Sequence, residues 1–339
     1  MTQQAFDTQA RLLSVDNAAE LIAEGATLLI AGDEMLLQKL PRGRWIGGSI
    51  PYFMAESGGL ISQEQLFVHQ LPPVVSEVKI RNYDIDHLHR NLADAPDNGF
   101  SILLLPAGSE VHASYACNAP SYENMFLKPI IGWVTGVHLD DLDKIKPKVF
   151  NGEQGLASEK EAVILHAQLP DTLTASIGIV NLFTQGTGDT FVFSETGFQA
   201  QDCMINGQQQ NFADYLLESE IDTRLPLVAN YYGAMINVSF QNVDPTHRLV
   251  NFYAPVFEGI EYRLAKPVPD YVNSFQAALP RNLTDVIFSC NCILNFLYSE
   301  LEGKRTEAMF GPITFGEIAY QLLNQTLVYL RLDGFEPST

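Results

Sequence analysis

Four groups of residues in this chain have side chains and spacings that could do chemistry. The first is Gly108, Ser109, His112 and Cys117, set where the apolar run Phe100-Ser-Ile-Leu-Leu-Leu105 passes through Pro106-Ala-Gly into a helical stretch. Ser109 suits the cap of that helix, which leaves backbone N–H groups free for an anion. His112 lies one turn further in. Cys117 is five residues beyond it, a poor match to the spacing of facing helical side chains. A capping serine beside a partly buried histidine is therefore favoured over catalysis, and if the protein is an enzyme its machinery is expected among Cys290, Cys117 and His112. The Gly-x-Ser-x-Gly pattern of a nucleophile elbow is absent.

The second group is the histidines. His87 and His89 flank Leu88 and would share one face of a strand but not of a helix; with no third ligand nearby, a solvated segment is the simpler reading. His138 ends one apolar run and His166 lies inside another, where a hydrogen-bonded core role is the usual one.

The third group is Trp45-Ile-Gly-Gly-Ser-Ile-Pro-Tyr-Phe53. Gly47 and Gly48 remove side chains where backbone must bend or admit a close neighbour. Ser49 adds a hydroxyl beside exposed N–H groups, suited to the carboxylate or carbonyl of a small ligand. This is not a phosphate loop, since neither the P-loop nor the dinucleotide fingerprint occurs.

The fourth group is C-terminal: Asp285-Val-Ile-Phe-Ser-Cys-Asn-Cys292, then Phe310-Gly-Pro-Ile-Thr-Phe-Gly-Glu317, then Asn324-Gln-Thr-Leu-Val-Tyr-Leu330. Ser289 and Cys290 end an apolar strand. Gly316 and Glu317 form a glycine–carboxylate pair, and Asn324 and Thr326 supply an amide and a hydroxyl. A carboxylate with amides and hydroxyls can grip the ammonium and carboxylate ends of an amino-acid-sized ligand. Cys290 and Cys292 are read as pointing to opposite faces of their strand, which disfavours joint chelation. With Cys117 and Cys203 they make four cysteines, too few and too scattered for a disulfide framework, so buried free thiols are expected.

These three C-terminal segments, in this order and at about this spacing, resemble the C-terminal part of FIST domains, intracellular sensory modules of bacterial signal transduction. The Gly-Gly-Ser turn is similar to the N-terminal region of the same family. One departure is clear: Phe-Ser-Cys runs on into Asn291-Cys292-Ile293-Leu294 where the family has a Gly-Arg pair, which removes a cation from the expected site. The resemblance implies a small-molecule-binding sensor with ligand contacts at Gly47, Gly48, Ser49, Ser289, Cys290, Gly316, Glu317, Asn324 and Thr326. It implies an output made in trans, through a signalling kinase or a cyclic-nucleotide enzyme. It also admits a haem-binding nitric-oxide sensor, for which a histidine such as His138 or His166 would be the axial ligand, and a cysteine- or serine-dependent hydrolase stands as the enzymatic alternative.

The bulk of the chain must position these groups. It has 339 residues, 46% of them hydrophobic and 18% charged, enough for a substantial core. No apolar run is long enough to cross a bilayer, and the N-terminus lacks the pattern of a signal peptide, so a cytoplasmic protein is expected. A formal charge of −20 repels nucleic acid and anionic membrane, neither of which is an expected partner.

Apolar runs at 27–31, 44–54, 66–68, 74–80, 100–105, 130–137, 162–169, 174–180, 191–193, 228–229, 234–240 and 251–253 predict strands. Helices are predicted at 10–25, 33–40, 109–119, 211–217 and 270–279, and 84–93 is helix-compatible. Strands come in runs, the pattern of an α+β fold. Two mixed-sheet lobes with flanking helices are expected, 1–185 and 186–339, with the glycine-rich segment 185–212 read as the loop between them. A pseudo-repeat is suggested by Leu40-Pro41…Gly48 and Leu225-Pro226…Gly233.

Overall fold

The computed structural model describes residues 10–75, 77–279, 285–306 and 309–334, and the fold is α+β. Its organising feature is a threefold internal repeat. The first repeat runs β1 (Ala10–Leu13), α1 (Val15–Ala23), β2 (Leu28–Gly32), α2 (Glu34–Leu37), β3 (Trp45–Ser49), β4 (Tyr52–Ala55), β5 (Gly58–Ile61) and β6 (Leu66–Gln70). The second runs β7 (Glu77–Tyr83), β8 (Gly99–Pro106), α3 (Glu110–Asn118), β9 (Ile130–Thr135), β10 (Val149–Asn151), β11 (Leu156–Ser158) and β12 (Ala162–Gln168).

The third repeat opens with β13 (Thr174–Val180) and is then interrupted. The interruption holds β14 (Gln185–Val192), β15 (Gly197–Ala200), β16 (Asp202–Ile205), β17 (Gln208–Asn211), α4 (Phe212–Glu218), β18 (Leu227–Tyr231), β19 (Ala234–Val238), β20 (Phe240–Asp244), β21 (Leu249–Val256) and β22 (Glu261–Ala265). After α5 (Tyr271–Ala278) the repeat resumes with β23 (Val286–Cys292), α6 (Ile293–Tyr298), β24 (Gly311–Thr314), β25 (Glu317–Ala319), β26 (Gln321–Leu323) and β27 (Leu327–Asp333).

The sheet orders make the repeat explicit. They are β1-β6-β2-β3-β10-β11, β7-β12-β8-β9-β25-β26 and β13-β27-β23-β24-β4-β5. In each sheet the second and third strands of one repeat form the only parallel pair among the described residues, β2 with β3, β8 with β9 and β23 with β24. Each repeat then gives its hairpin away. β4-β5 completes the third sheet, β10-β11 the first and β25-β26 the second. The exchange is cyclic, so the three sheets close into a ring.

Their inner faces meet in one core, with Leu29, Ile46 and Phe67 from the first sheet, Leu104 and Trp133 from the second, and Phe288, Ile313 and Val328 from the third. Helices cover the outer faces. α1 lays Ala18 and Ile22 on Leu28, Trp45 and Val68, and α3 lays Val111 and Tyr115 on Leu105 and Ile164. Strands buried on both faces read as continuous apolar runs, which is why β8, Gly-Phe-Ser-Ile-Leu-Leu-Leu-Pro, is buried throughout.

The helix starts are set by side chains. Ser14, Asp33, Ser109, Asn211 and Asp270 each accept a bond from the first turn of the helix they precede.

The structure differs from the sequence reading in several places. Residues 10–13 pair with β6 as a strand, and the helix begins after Ser14. Residues 88–93 form 3₁₀ helix. The glycine-rich segment 185–212 holds four strands of a separate unit, with its own core of Phe191, Phe193, Phe212, Phe252 and Tyr262. Strands of residues 286–333 belong to sheets begun by residues 10–180, so pairing divides the chain differently from a cut at 185. Gly48 and Gly233 are not equivalent either: Gly48 is in β3, whereas Gly233 sits in the β18–β19 turn at φ +102°.

Candidate functional site

Each parallel strand pair ends on a buried hydroxyl. Ser49 stands opposite Gly32, Thr135 opposite Pro106 and Thr314 opposite Cys292. Three residues beyond each hydroxyl come Tyr52, His138 and Glu317. Tyr52 and His138 stack on one another at 5.8 Å. Glu317 has a different setting, and it is the most unusual group in the molecule.

Glu317 opens β25 and pairs with Trp133 of β9. It is fully buried. Its Oε2 accepts two bonds from Thr326, from the backbone N at 3.2 Å and from Oγ1 at 2.9 Å. Its Oε1 makes no hydrogen bond of regular geometry, and the Cys292 thiol and the Thr314 hydroxyl are the polar groups that approach the carboxyl. The surroundings are thiols and hydroxyls, with Cys290, Cys292, Thr314 and Tyr271 near the carboxyl, and no basic side chain is among its partners. Burial pushes the Glu317 pKa up to about 8, against the smaller opposing effect of hydrogen bonds from Thr326, Cys292 and Thr314, so the acid mostly keeps its proton at neutral pH.

The neighbouring strand end is equally polar and equally buried. Asn291 Oδ1 accepts from Cys292 N at 2.8 Å and from Asn295 Nδ2 at 2.9 Å, while its own buried Nδ2 has the Tyr271 hydroxyl as its polar neighbour and makes no hydrogen bond of regular geometry. Thr326 O accepts from Cys292 N at 3.2 Å and Asn295 Nδ2 at 3.3 Å. Orphaned buried polar atoms are few in native proteins, and each points to strain, chemistry or a missing guest.

The sequence-predicted residues fall into three sets. Gly48, Cys290 and Glu317 converge on β9. A Cβ on Gly48 would lie 2.5 Å from Thr135 Cγ2 and 2.9 Å from Trp133 Nε1, and Cys290 Sγ donates to Gly132 O at 3.4 Å. Thr326 joins this set through Glu317. Gly47, Ser49 and Gly316 are beside it but committed to structure. A Cβ on Gly47 would crowd Ile30 O, Ser49 Oγ accepts from Lys148 N at 2.8 Å, and Gly316 O accepts from Val134 N at 2.8 Å.

Asn324 and Ser289 face elsewhere. Asn324 Oδ1 accepts from Ser239 N and Oγ of the inserted unit. Ser289 donates to Phe310 O at 2.8 Å and lines a cavity of about 70 Å³ with His69, whose Nε2 is 3.2 Å from the same carbonyl. His69 was missed by the sequence reading. Its signal is the strand alternation that puts it on the face of Phe67, against Phe288.

Cys290 and Cys292 lie on the same face of β23, both against Glu317. That corrects the opposite-face reading, since strand faces repeat every two residues. Burial raises both thiols well above their ordinary range, raises Cys203 to about 12 and raises Cys117 less strongly. None is a ready thiolate at neutral pH. Ser109 caps α3 as expected. His112, however, has neither Cys117 nor Cys290 as a partner. Its Nδ1 accepts from Gly108 N at 3.3 Å, its ring packs on Phe198, and its Nε2 is buried without a partner.

The other histidines are engaged too. His166 bonds Ser101 Oγ at 2.8 Å and Tyr83 OH at 3.1 Å through its two ring nitrogens, and His138 Nδ1 accepts from Asp140 N at 3.3 Å. Among the described residues no three His, Cys, Asp or Glu side chains gather as a metal set. No helix among them is long and apolar enough to cross a membrane.

Fold and site together define an α+β protein of three hairpin-exchanging repeats, with a buried carboxyl, the only one among the described residues, at one of the three repeat junctions. The chain belongs to a family of unknown function, DUF6976, whose model matches residues 13–333. A comparison with curated proteins found no match.

Proposed function

We propose that this protein is a small-molecule-binding sensor of bacterial signal transduction, with Glu317 as the principal ligand contact and an output made on a partner in trans. The observation that carries the reading is the buried carboxyl with no cation beside it: one oxygen is fixed twice by Thr326, and the other makes no hydrogen bond of regular geometry, with only the Cys292 thiol and the Thr314 hydroxyl near the group. A carboxyl so placed donates from Oε1 while it keeps its proton and accepts from a guest once the proton is lost, and no side-chain cation is among its partners. An amino-acid-sized ligand with an amino group answers that geometry. The resemblance of residues 285–330 to FIST domains supports the same assignment.

Neither of the two best-formed cavities is lined by Gly47, Gly48, Ser49 or Glu317, the arrangement expected of a scaffold protein without a ligand, so the sensor reading requires a site that opens. The two best formed are about 70 Å³, beside Ser289 and His69, and about 10 Å³, between α3 and the inserted unit. Sites for drug-sized ligands are roughly 300 Å³ or more. A guest at Glu317 therefore has to open its own site, and a ligand that binds only an opened state shifts the protein toward that state. The test is native mass spectrometry with an absorption spectrum on freshly purified protein, followed by a thermal-shift screen of amino acids and small amines. A bound metabolite or a stabilising amine supports the proposal; a clean apo mass with no stabilising compound counts against it.

A further inference from the structure

Three consecutive residues, Asn324, Gln325 and Thr326, form the short link between β26 and β27, and all three are buried. From one side Glu317 holds the last of them, through the Thr326 backbone N and hydroxyl. From the other side the inserted unit holds the first two. Ser239 N donates to Asn324 Oδ1 at 3.1 Å, and Ser239 Oγ reaches both Asn324 Oδ1 at 2.9 Å and Gln325 Oε1 at 2.6 Å. Asn237 Nδ2 donates to Asn324 O at 3.1 Å and to Gln325 O at 3.4 Å. Gln325 Nε2 adds a bond to Arg224 O at 3.2 Å. The middle residue is in the left-handed region, with φ +50° at Gln325, a conformation that a side-chain-bearing residue holds only where its surroundings impose it.

We infer that residues 324–326 are a coupling strap, through which the state of Glu317 sets how firmly the unit of residues 181–268 is docked on the three-repeat ring. The inference rests on the sensor reading for its input, and it names the output: the inserted unit is the part of the chain that responds. The mechanism is mechanical and short. When a guest draws Glu317 away from Thr326, the strap loses the anchor that imposes the turn at Gln325. The turn relaxes, and the Asn324 and Gln325 acceptors leave Ser239 and Asn237. A local two-state element biased from both ends is what such coupling requires. Because the coupling is reciprocal, loosening the Ser239 end also loosens Thr326 from Glu317.

The two ends carry their own reporters, since the amides of Ser239 and Thr326 both donate to side chains across the strap. The experiment is hydrogen exchange on the full chain without ligand, comparing wild type with Thr326→Val, Thr326→Ser and Ser239→Ala. Strands β8 and β12 serve as the internal control for global stability. Thr326→Val is expected to speed exchange at Ser239 about fivefold or more relative to that control, with Thr326→Ser close to wild type, and Ser239→Ala is expected to speed exchange at Thr326 to a similar degree. Exchange at Ser239 and Thr326 that stays within about twofold of wild type relative to the control overturns the strap. No ligand enters this test, so its failure is separate from a failure to find one.

Discussion

Thr326 donates twice to one oxygen of Glu317, and the other makes no hydrogen bond of regular geometry. Most buried carboxyls are matched to a cation or saturated with donors, because an unpaired charge in a dry interior is costly. Glu317 has no cation, the donors around it do not offset its burial, and it keeps its proton. Four predictions follow from this carboxyl and from its buried surroundings.

Glu317→Gln reproduces the shape and hydrogen-bonding capacity of the neutral acid. Its cost at pH 7 is expected to be within about 1 kcal/mol of wild type, whereas Glu317→Ala leaves the Thr326 donors orphaned and a void beside them, at about 2–4 kcal/mol. Chemical denaturation of the two variants measures the difference. Equal loss in both contradicts a neutral, hydrogen-bonded Glu317.

The pH dependence has a definite sign. The folded pKa, about 8, lies above the ordinary 4.5. The stabilisation from this group is therefore complete below about 4.5 and is lost as pH rises through about 8. The melting temperature of wild type relative to Glu317→Gln is expected to fall across that window. His69, His112 and His166 act oppositely. Burial lowers each from 6.5 to about 4, so their contribution is present above 6.5 and lost as pH falls through about 4. Melting curves from pH 4 to 9 should show acid loss in both proteins, with alkaline loss reduced in the variant.

The thiols should be nearly silent. Cys203, Cys290 and Cys292 are buried and Cys117 is partly exposed. Alkylation of the native protein at pH 7.5 is expected at Cys117 alone, with all four reacting after denaturation. Rapid native modification of Cys290 or Cys292, read by peptide mass, would contradict this account and revive a thiol nucleophile.

The glycines near the site are structural by the same geometry. A Cβ on Gly132 would stand 1.8 Å from Leu103 O, inside the parallel β8–β9 pair, and one on Gly48 would strike Thr135 and Trp133. Gly132→Ala is expected to cost about 3 kcal/mol or more and Gly48→Ala about 1–3 kcal/mol. At Gly47, where the closest approach is 3.0 Å, the cost should be smaller. Melting temperatures of the three variants give the order.

Local features of this fold were legible in the sequence and long-range ones were not. The cap at Ser109 and the strand at 100–105 depend on neighbours within a turn or on continuous apolarity, both visible in a linear chain. The threefold ring depends on hairpins such as β25-β26 joining a sheet made by residues 77–168, and no local pattern encodes that exchange. The third repeat is further hidden because its first strand ends at Val180 and its next begins at Val286. Glycines at 186, 188, 197 and 207 suggested a loop, yet Gly188 and Gly197 lie in strands with open space beside them, Gly186 lies in a strand against Leu264 O, and Gly207 makes the turn between β16 and β17 at φ +81°. At the site, the residue types of Glu317 and Thr326 were readable. Their bond was not, nor was the role of Asn324 in gripping Ser239, because each partner comes from another element.

The most direct test of the central claim is a thermal-shift titration of amino acids and small amines on wild type and on Glu317→Gln, side by side at pH 7 and pH 8. The account predicts a ligand that raises the wild-type melting temperature by a few degrees and that loses most of this effect in the variant. It also predicts tighter wild-type binding at the higher pH, by up to about tenfold, because an ammonium group pairs with Glu317 only after the carboxyl gives up its proton. A ligand that stabilises both proteins equally, or no stabilising ligand at all, would contradict it.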